Sequence, residues 1–104
     1  MPNPLRGEVW LVDLGLAAKV RPCLVLSVPT LNDERVLVTV VAHTTSSRKT
    51  RFEVESDSKF LRTGVFDAQN LITVPTATLL RKLGGLTLPQ ISSVENAVRL
   101  WLGL

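Results

Sequence analysis

With 104 residues and 45% hydrophobic content, the chain holds apolar material for one compact core and too little for a second, so a single domain over residues 1–104 is expected. No run approaches the roughly 20 uninterrupted apolar residues of a membrane helix. The opening MPNPLRGEVW lacks the basic-then-apolar pattern of a signal peptide, so a soluble, cytoplasmic protein without membrane contact is expected.

The net charge is +3, and Arg48, Lys49, Arg51, Lys59 and Arg62 crowd one segment, which favours an anionic partner. A solvated basic face accounts equally well for charge alone. Cys23 is the only cysteine, which leaves no internal disulfide. With His43 the sole histidine, structural zinc lacks ligands. The nine acids are scattered, and the two close pairs, Asp33-Glu34 and Glu53-x-Glu55, fit a turn and a strand face, so neither a metal site nor another cofactor is expected.

In chain order, the first half reads as short strands divided by turn residues. Residues 8–14 open as strand one. Residues 20–28 follow after a loop around Gly15, and Asn32-Asp33-Glu34 turns the chain into a third apolar run over 35–42. The unbroken apolar runs LVLS and VLVTVVA predict strands buried on both faces. Polar HTTSSRKT, 43–50, reads as a loop, and 51–55 alternates as a half-buried strand. Residues 64–74 read as a strand pair closed by Pro75, 76–80 as a single helical turn, and RKLGGL as a last short strand with a glycine bend.

Thr87-Leu88-Pro89-Gln90 has the form of a capping box with proline in the first turn, and it announces the one long helix. Ile91, Val94, Val98 and Trp101 recur every three or four residues and are expected to pack on the sheet, with Ser92, Glu95 and Arg99 outward. The phenylalanines and Trp10 are expected in the core, Trp10 alternatively in a dimer interface, although Phe60 lies between Lys59 and Arg62 and could meet a base. The fold class is therefore a mainly β, small barrel with a C-terminal helix, which by itself names no function.

Three stretches in order, Arg6-Gly7-Glu8-Val9-Trp10 with Asp13-Leu14, then Arg21-Pro22-Cys23-Leu24-Val25-Leu26-Ser27, then His43-Thr44-Thr45-Ser46 ahead of Phe52-Glu53-Val54, resemble the MazF/PemK (Kid) toxin family. A Gly-Val-Phe-x-x-Gln-Asn strand, the element from Leu80 to Leu86 and the terminal helix extend the resemblance over essentially the whole chain. It implies an SH3-like β-barrel homodimer that cleaves single-stranded RNA at short sequences and is neutralised by a cognate antitoxin. The family's catalytic arginine and threonine carry over onto Arg21 and Thr44, with Thr45 the neighbour if the register slips by one. Two departures stand out. The loop between the first two strands is only Gly15-Leu16-Ala17-Ala18-Lys19-Val20, and a histidine, His43, precedes Thr44.

Cutting RNA without a metal requires the substrate's own 2′-hydroxyl to attack the adjacent phosphorus, leaving a 2′,3′-cyclic phosphate and a 5′-hydroxyl. Arg21 suits the charge on the phosphorane because a guanidinium stays protonated and offers a planar fork of donors. Thr44 can hold a phosphate oxygen or orient the 2′-hydroxyl. His43 alone titrates near neutrality. Adjacent strand residues point to opposite faces, so it joins Thr44 only if the strand has ended by then. Lys19, Arg48, Lys49 and Arg51 are expected to bind RNA. Two rivals are a protein-binding poison resembling CcdB, which shares this barrel and inhibits DNA gyrase, and a non-catalytic SH3-like RNA- or protein-binding module.

Overall fold

The computed structural model describes residues 2–16 and 19–104. Its strands are β1 (Glu8–Asp13), β2 (Val20–Val25), β3 (Leu37–Thr44), β4 (Glu53–Ser56), β5 (Gly64–Pro75) and β6 (Leu79–Gly85), followed by helix α1 (Leu88–Leu102). All six strands join one antiparallel sheet in the order β4-β5-β3-β2-β1-β6.

The three-residue 3₁₀ turn Thr76–Thr78 joins β5 to β6, although β3, β2 and β1 lie between them in the sheet. Laid flat, four inter-strand spacings of roughly 4.8 Å would separate the two by about 19 Å. A three-residue 3₁₀ turn rises only about 6 Å. The sheet therefore has to roll, and Val74 and Leu79 on either side of the turn meet Val12, Cys23, Val25, Val38, Val40 and Ala42 in one core. The expected barrel with a terminal helix is realised as this rolled sheet. Strands β4 and β6 stay edges, with no ladder between them among the described residues.

On the outer face, Val9, Leu24, Val41 and Phe66 form a second core with Val94 of α1. Strands β2 and β3 thus bury alternate residues in two different cores, which accounts for their unbroken apolar runs. Each side chain fully buried in this way contributes about 1.5–3 kcal/mol. Trp10 packs partly buried against the inner core and donates its indole N–H to Glu8 Oε1 at 3.0 Å. The other oxygen of Glu8 pairs with Lys82 at 2.9 Å and ties β1 to β6.

Strand ends differ from the sequence expectation for identifiable reasons. β2 stops at Val25 because Leu26 and Ser27 both turn their N–H groups toward the Thr39 carbonyl, while Ser27 Oγ accepts from Thr39 N. β3 runs two residues further, to Thr44, because His43 and Thr44 pair with Phe66 and Val65 of β5. β4 begins only at Glu53, after a turn closed by Glu53 N–H on the Thr50 carbonyl. β5 is one twelve-residue strand, not a pair, and serves β4 along its first part and β3 along most of its length.

Helix α1 begins as expected: Thr87 Oγ1 accepts from Gln90 N, and Gln90 Oε1 accepts from Thr87 N at 2.8 Å. It ends at Gly103, whose φ of 73° is a conformation that glycine tolerates best. Val94 and Ala97 are its buried residues, with Ile91 and Val98 partly covered, and Glu95 pairs with Arg6. Trp101, expected on the buried face, is 44% exposed. Removing the cap by Thr87→Ala should lower stability by about 1 kcal/mol. A thermal melt should show it as a drop of about 4–8 °C, and an unchanged midpoint would mean the capping box contributes nothing.

Candidate active site

The β2–β3 ladder pairs Cys23 with Ala42, Leu24 with Val41 and Val25 with Val40. Continued by two residues, the register sets Arg21 opposite Thr44, on the face that carries Cys23 and Ala42. The two side chains do line one groove, of about 610 Å³, together with Arg48, Asp67, Gln69 and Trp101. Thr45, one residue beyond the end of β3, does not line this groove.

Thr44 stands at the last position of β3, where its Oγ1 accepts from Ser46 N at 3.1 Å. It is therefore a turn-former and a groove residue at once, and its hydroxyl hydrogen remains to donate. Behind it the backbone is tightly enclosed: a Cβ on Gly64 would lie 2.3 Å from the Thr44 carbonyl oxygen and 2.8 Å from His43 Cε1. Only glycine lets β5 approach this end of β3.

Because β3 continues through Thr44, His43 and Thr45 turn to the other side. They line a second cavity, of about 520 Å³, in which Thr44 takes no part. Arg21 borders both. His43 is buried and meets the Phe66 ring edge-on at 5.2 Å, and its Nε2 has no hydrogen-bond partner. Leaving such an atom unpaired costs about 1–3 kcal/mol. Burial penalises the charged imidazole and holds its pKa below the ordinary range. Cys23, in the inner core, is an inert thiol, since burial pushes its pKa up to about 12.

The basic loop is organised around one carboxylate. Glu53 accepts from Arg48 N at 3.0 Å, Ser47 Oγ at 2.8 Å and Thr50 N at 3.3 Å. These donors, the Arg48 N–H foremost, hold its pKa below the usual carboxylate range. With the backbone wrapped inward, Arg48, Lys49 and Arg51 are left exposed. Only Arg48 of the three lines the groove, while the Arg51 guanidinium lies over the Phe52 ring at 4.6 Å. Phe52 in turn meets Trp101 edge-on at 5.3 Å, so an aromatic pair stands at the groove's margin where the helical spacing predicts core packing. Lys19 is exposed, with φ at 60°, and borders neither cavity. Beside it, the part of the short loop at residues 17 and 18 lies outside the described residues.

Residues 5–102 match the PemK-like, MazF-like toxin family of type II toxin–antitoxin systems. The chain belongs to this family. Among solved structures, an endoribonuclease in complex with its cognate antitoxin from a mycobacterial species is similar at TM-score 0.83 and 31% identity, over 97% of this chain and 96% of that one. Mycobacterium tuberculosis toxin MazF-mt6 matches at TM-score 0.79 and 27% identity, over 93% and 97% of the two chains. A MazE–MazF structure from Deinococcus radiodurans reaches TM-score 0.83 over 100% and 99% at 20% identity, a likeness of fold. The resemblance carried by the three sequence stretches is thereby borne out.

In this MazF-like chain, Asp67 is a groove residue that motif reading passes over, and Gln69, part of the Gly-Val-Phe-x-x-Gln-Asn strand, is one to which it gives no site role. Their signal is the alternation of Asp67 and Gln69 with the apolar Phe66 and Ala68 in the first half of β5. Trp101 gives no such signal, because an aromatic at helical spacing reads as core.

The buried His43 should be visible in the pH dependence of stability. Its folded pKa lies below the ordinary 6.5, so its neutral-state stabilisation is complete above that pH. Stability is then lost as pH falls from there toward the folded value, because the unfolded chain takes up the proton first. Urea midpoints should decline as the pH falls below about 6.5, and His43→Phe should flatten the decline. An equal decline in both proteins would assign it to other groups.

Proposed function

We propose that this chain is the toxin of a type II toxin–antitoxin pair and acts as an endoribonuclease on single-stranded RNA in the cytoplasm, inhibiting translation and growth. The observation that carries the reading is the placement of Arg21 and Thr44 on one face of adjoining strands, as two walls of one groove. The 2′-oxygen of the substrate attacks phosphorus, the bond from phosphorus to the 5′-oxygen breaks, and the products are a 2′,3′-cyclic phosphate and a 5′-hydroxyl. The 2′-hydroxyl loses its proton, and the leaving oxygen gains one.

Arg21 donates to the non-bridging oxygens, whose negative charge grows toward the phosphorane. Thr44, with an acceptor site of its hydroxyl already used by Ser46 N, donates to a phosphate oxygen or orients the 2′-hydroxyl. The charge work is thus done by side chains, without a metal. The two groove carboxylates serve the local backbone, Glu53 accepting from Arg48 N and Asp67 Oδ1 from Gln69 N at 3.0 Å. Arg48 follows the RNA backbone into the groove, while Lys19, Lys49 and Arg51 supply longer-range attraction.

The partner proposed to neutralise it is a cognate antitoxin with an acidic segment that lies along the basic surface and covers Arg21. A homodimer is proposed as the working unit, since Leu80, Leu100, Leu102 and Leu104 are left exposed on one chain. Light scattering at micromolar concentration should return twice 11.4 kDa. A clean monomer would contradict the dimer.

Arg21→Ala should lower single-turnover cleavage by about 10²-fold or more. RNA binding should weaken much less, and Arg21→Lys should recover only part of the rate. Thermal melts on the three proteins separate chemistry from folding, and the wild-type reaction should persist in excess EDTA. Wild-type cleavage by folded Arg21→Ala would remove the proposed site, and absence of any fragments from the wild type would favour a non-catalytic barrel.

A further inference from the structure

The second cavity is charged in a way that the groove is not. Arg21, Arg62 and Arg81 line it, and among the described residues no carboxylate does, whereas Glu53 and Asp67 line the groove. Neither Arg62 nor Arg81 pairs with a carboxylate among the described residues. Guanidiniums gathered without a counter-charge repel one another, so the space favours an anion. Leu11, Val20 and Leu83 also line it, which gives the anion an apolar neighbourhood.

Arg81 and Leu83 come from β6, and this strand has a second unused capacity. It ends the sheet, paired on one side with β1 and with no ladder on the other among the described residues. Leu80, Arg81 and Lys82 are exposed. A lysine on an edge strand discourages further pairing, but Lys82 is tied back to Glu8 on β1. A strand added to β6 would set alternate side chains beside Arg81 and Leu83. An acid opposite Arg81 and an apolar residue two positions away, opposite Leu83, would match both. RNA could offer the cavity its phosphates, yet its backbone lacks the alternating donors and acceptors that a free strand edge requires.

We propose that the free edge of β6 and the three-arginine cavity form the docking site for an extended segment of the neutralising partner, acidic and apolar at every second position, which joins the sheet as a further strand. The proposal rests on the reading that an acidic segment covers Arg21, and it adds where and how that segment binds. Backbone hydrogen bonds to the edge give affinity, and the spacing of acids and apolar residues gives specificity. Because Arg21 borders cavity and groove alike, an acid in the cavity engages from behind the guanidinium that the proposed reaction uses. Neutralisation then needs no filling of the groove.

The test uses the whole chain and a synthetic peptide of Glu-Thr-Leu-Thr repeats, which in extended form presents acid and leucine on one face. Hydrogen exchange at the outward-pointing amides of β6 should slow when this peptide is added, and a version with Lys in place of Glu should have no effect. Arg62→Gln combined with Arg81→Gln should weaken peptide binding by about tenfold, the loss of two partly exposed ion pairs, while RNA cleavage by the protein alone stays unchanged. Both arginines are exposed, so the double variant should fold. Slowed exchange confined to residues 43–50, or full affinity in the double variant, would overturn the docking site and leave an acidic partner in place elsewhere. Slowed β6 exchange with an RNA made uncleavable by a 2′-deoxy sugar at the cut, together with weaker RNA binding by the double variant, would assign the cavity to RNA instead. Outward amides of β6 protected in the protein alone and indifferent to the peptide would show the edge already paired with a second copy. If the Glu peptide bound nowhere on the chain, the reading of an acidic partner would itself fail.

Discussion

The pairing of β2 with β3 is the constraint on which the site depends. Cys23 and Ala42 face one core and Leu24 and Val41 the other, so a slip of one residue would exchange the contents of both. A strand with one solvated face tolerates such an error better, because half of its residues have no fixed surroundings. Here every residue of the paired segment has a destination. Extended by two residues, the same register puts Arg21 opposite Thr44, and both line one groove. The geometry proposed for catalysis is in this sense a by-product of core packing, and the groove needs no separate device to align its two walls.

The roll of the sheet makes that double burial available. Without the short connection from β5 to β6, the inner face would be an open surface of valines. With it, the inner face closes on itself and the outer face is left to α1. The family likeness fits this account. The Deinococcus radiodurans fold is reproduced at 20% identity, because what must persist is an apolar pattern on both faces and a short turn at one place, which many residue choices satisfy.

Helix α1 is legible in the chain because its capping box, proline and terminal glycine act locally. The apolar runs of β2 and β3 are equally plain, with the Arg-Pro pair at the start of β2 and the Thr-Thr pair at the end of β3. Strand ends are less legible, since they depend on partners far away in sequence. β3 passes the polar residues His43 and Thr44 only because β5 supplies their ladder, and β5 can do so only because Gly64 has no side chain. Trp101 misleads for a related reason: helical periodicity reports which face a residue is on, and says nothing of whether the sheet extends far enough to cover it. Here the helix ends where the groove begins, and Phe52 covers one edge of the indole and no more.

The end of β3 shows how much an alternating backbone can do with adjacent residues. Thr44 and Arg21 line the groove proposed to take the phosphate, while His43 and Thr45 line the cavity on the other side of the same arginine. A histidine beside a catalytic threonine invites the role of general base, yet the strand separates the two side chains, and burial works against the charged form such a base must reach. Substituting Arg21 or Thr44 therefore bears on the chemistry proposed for the groove, and substituting His43 on the packing behind it.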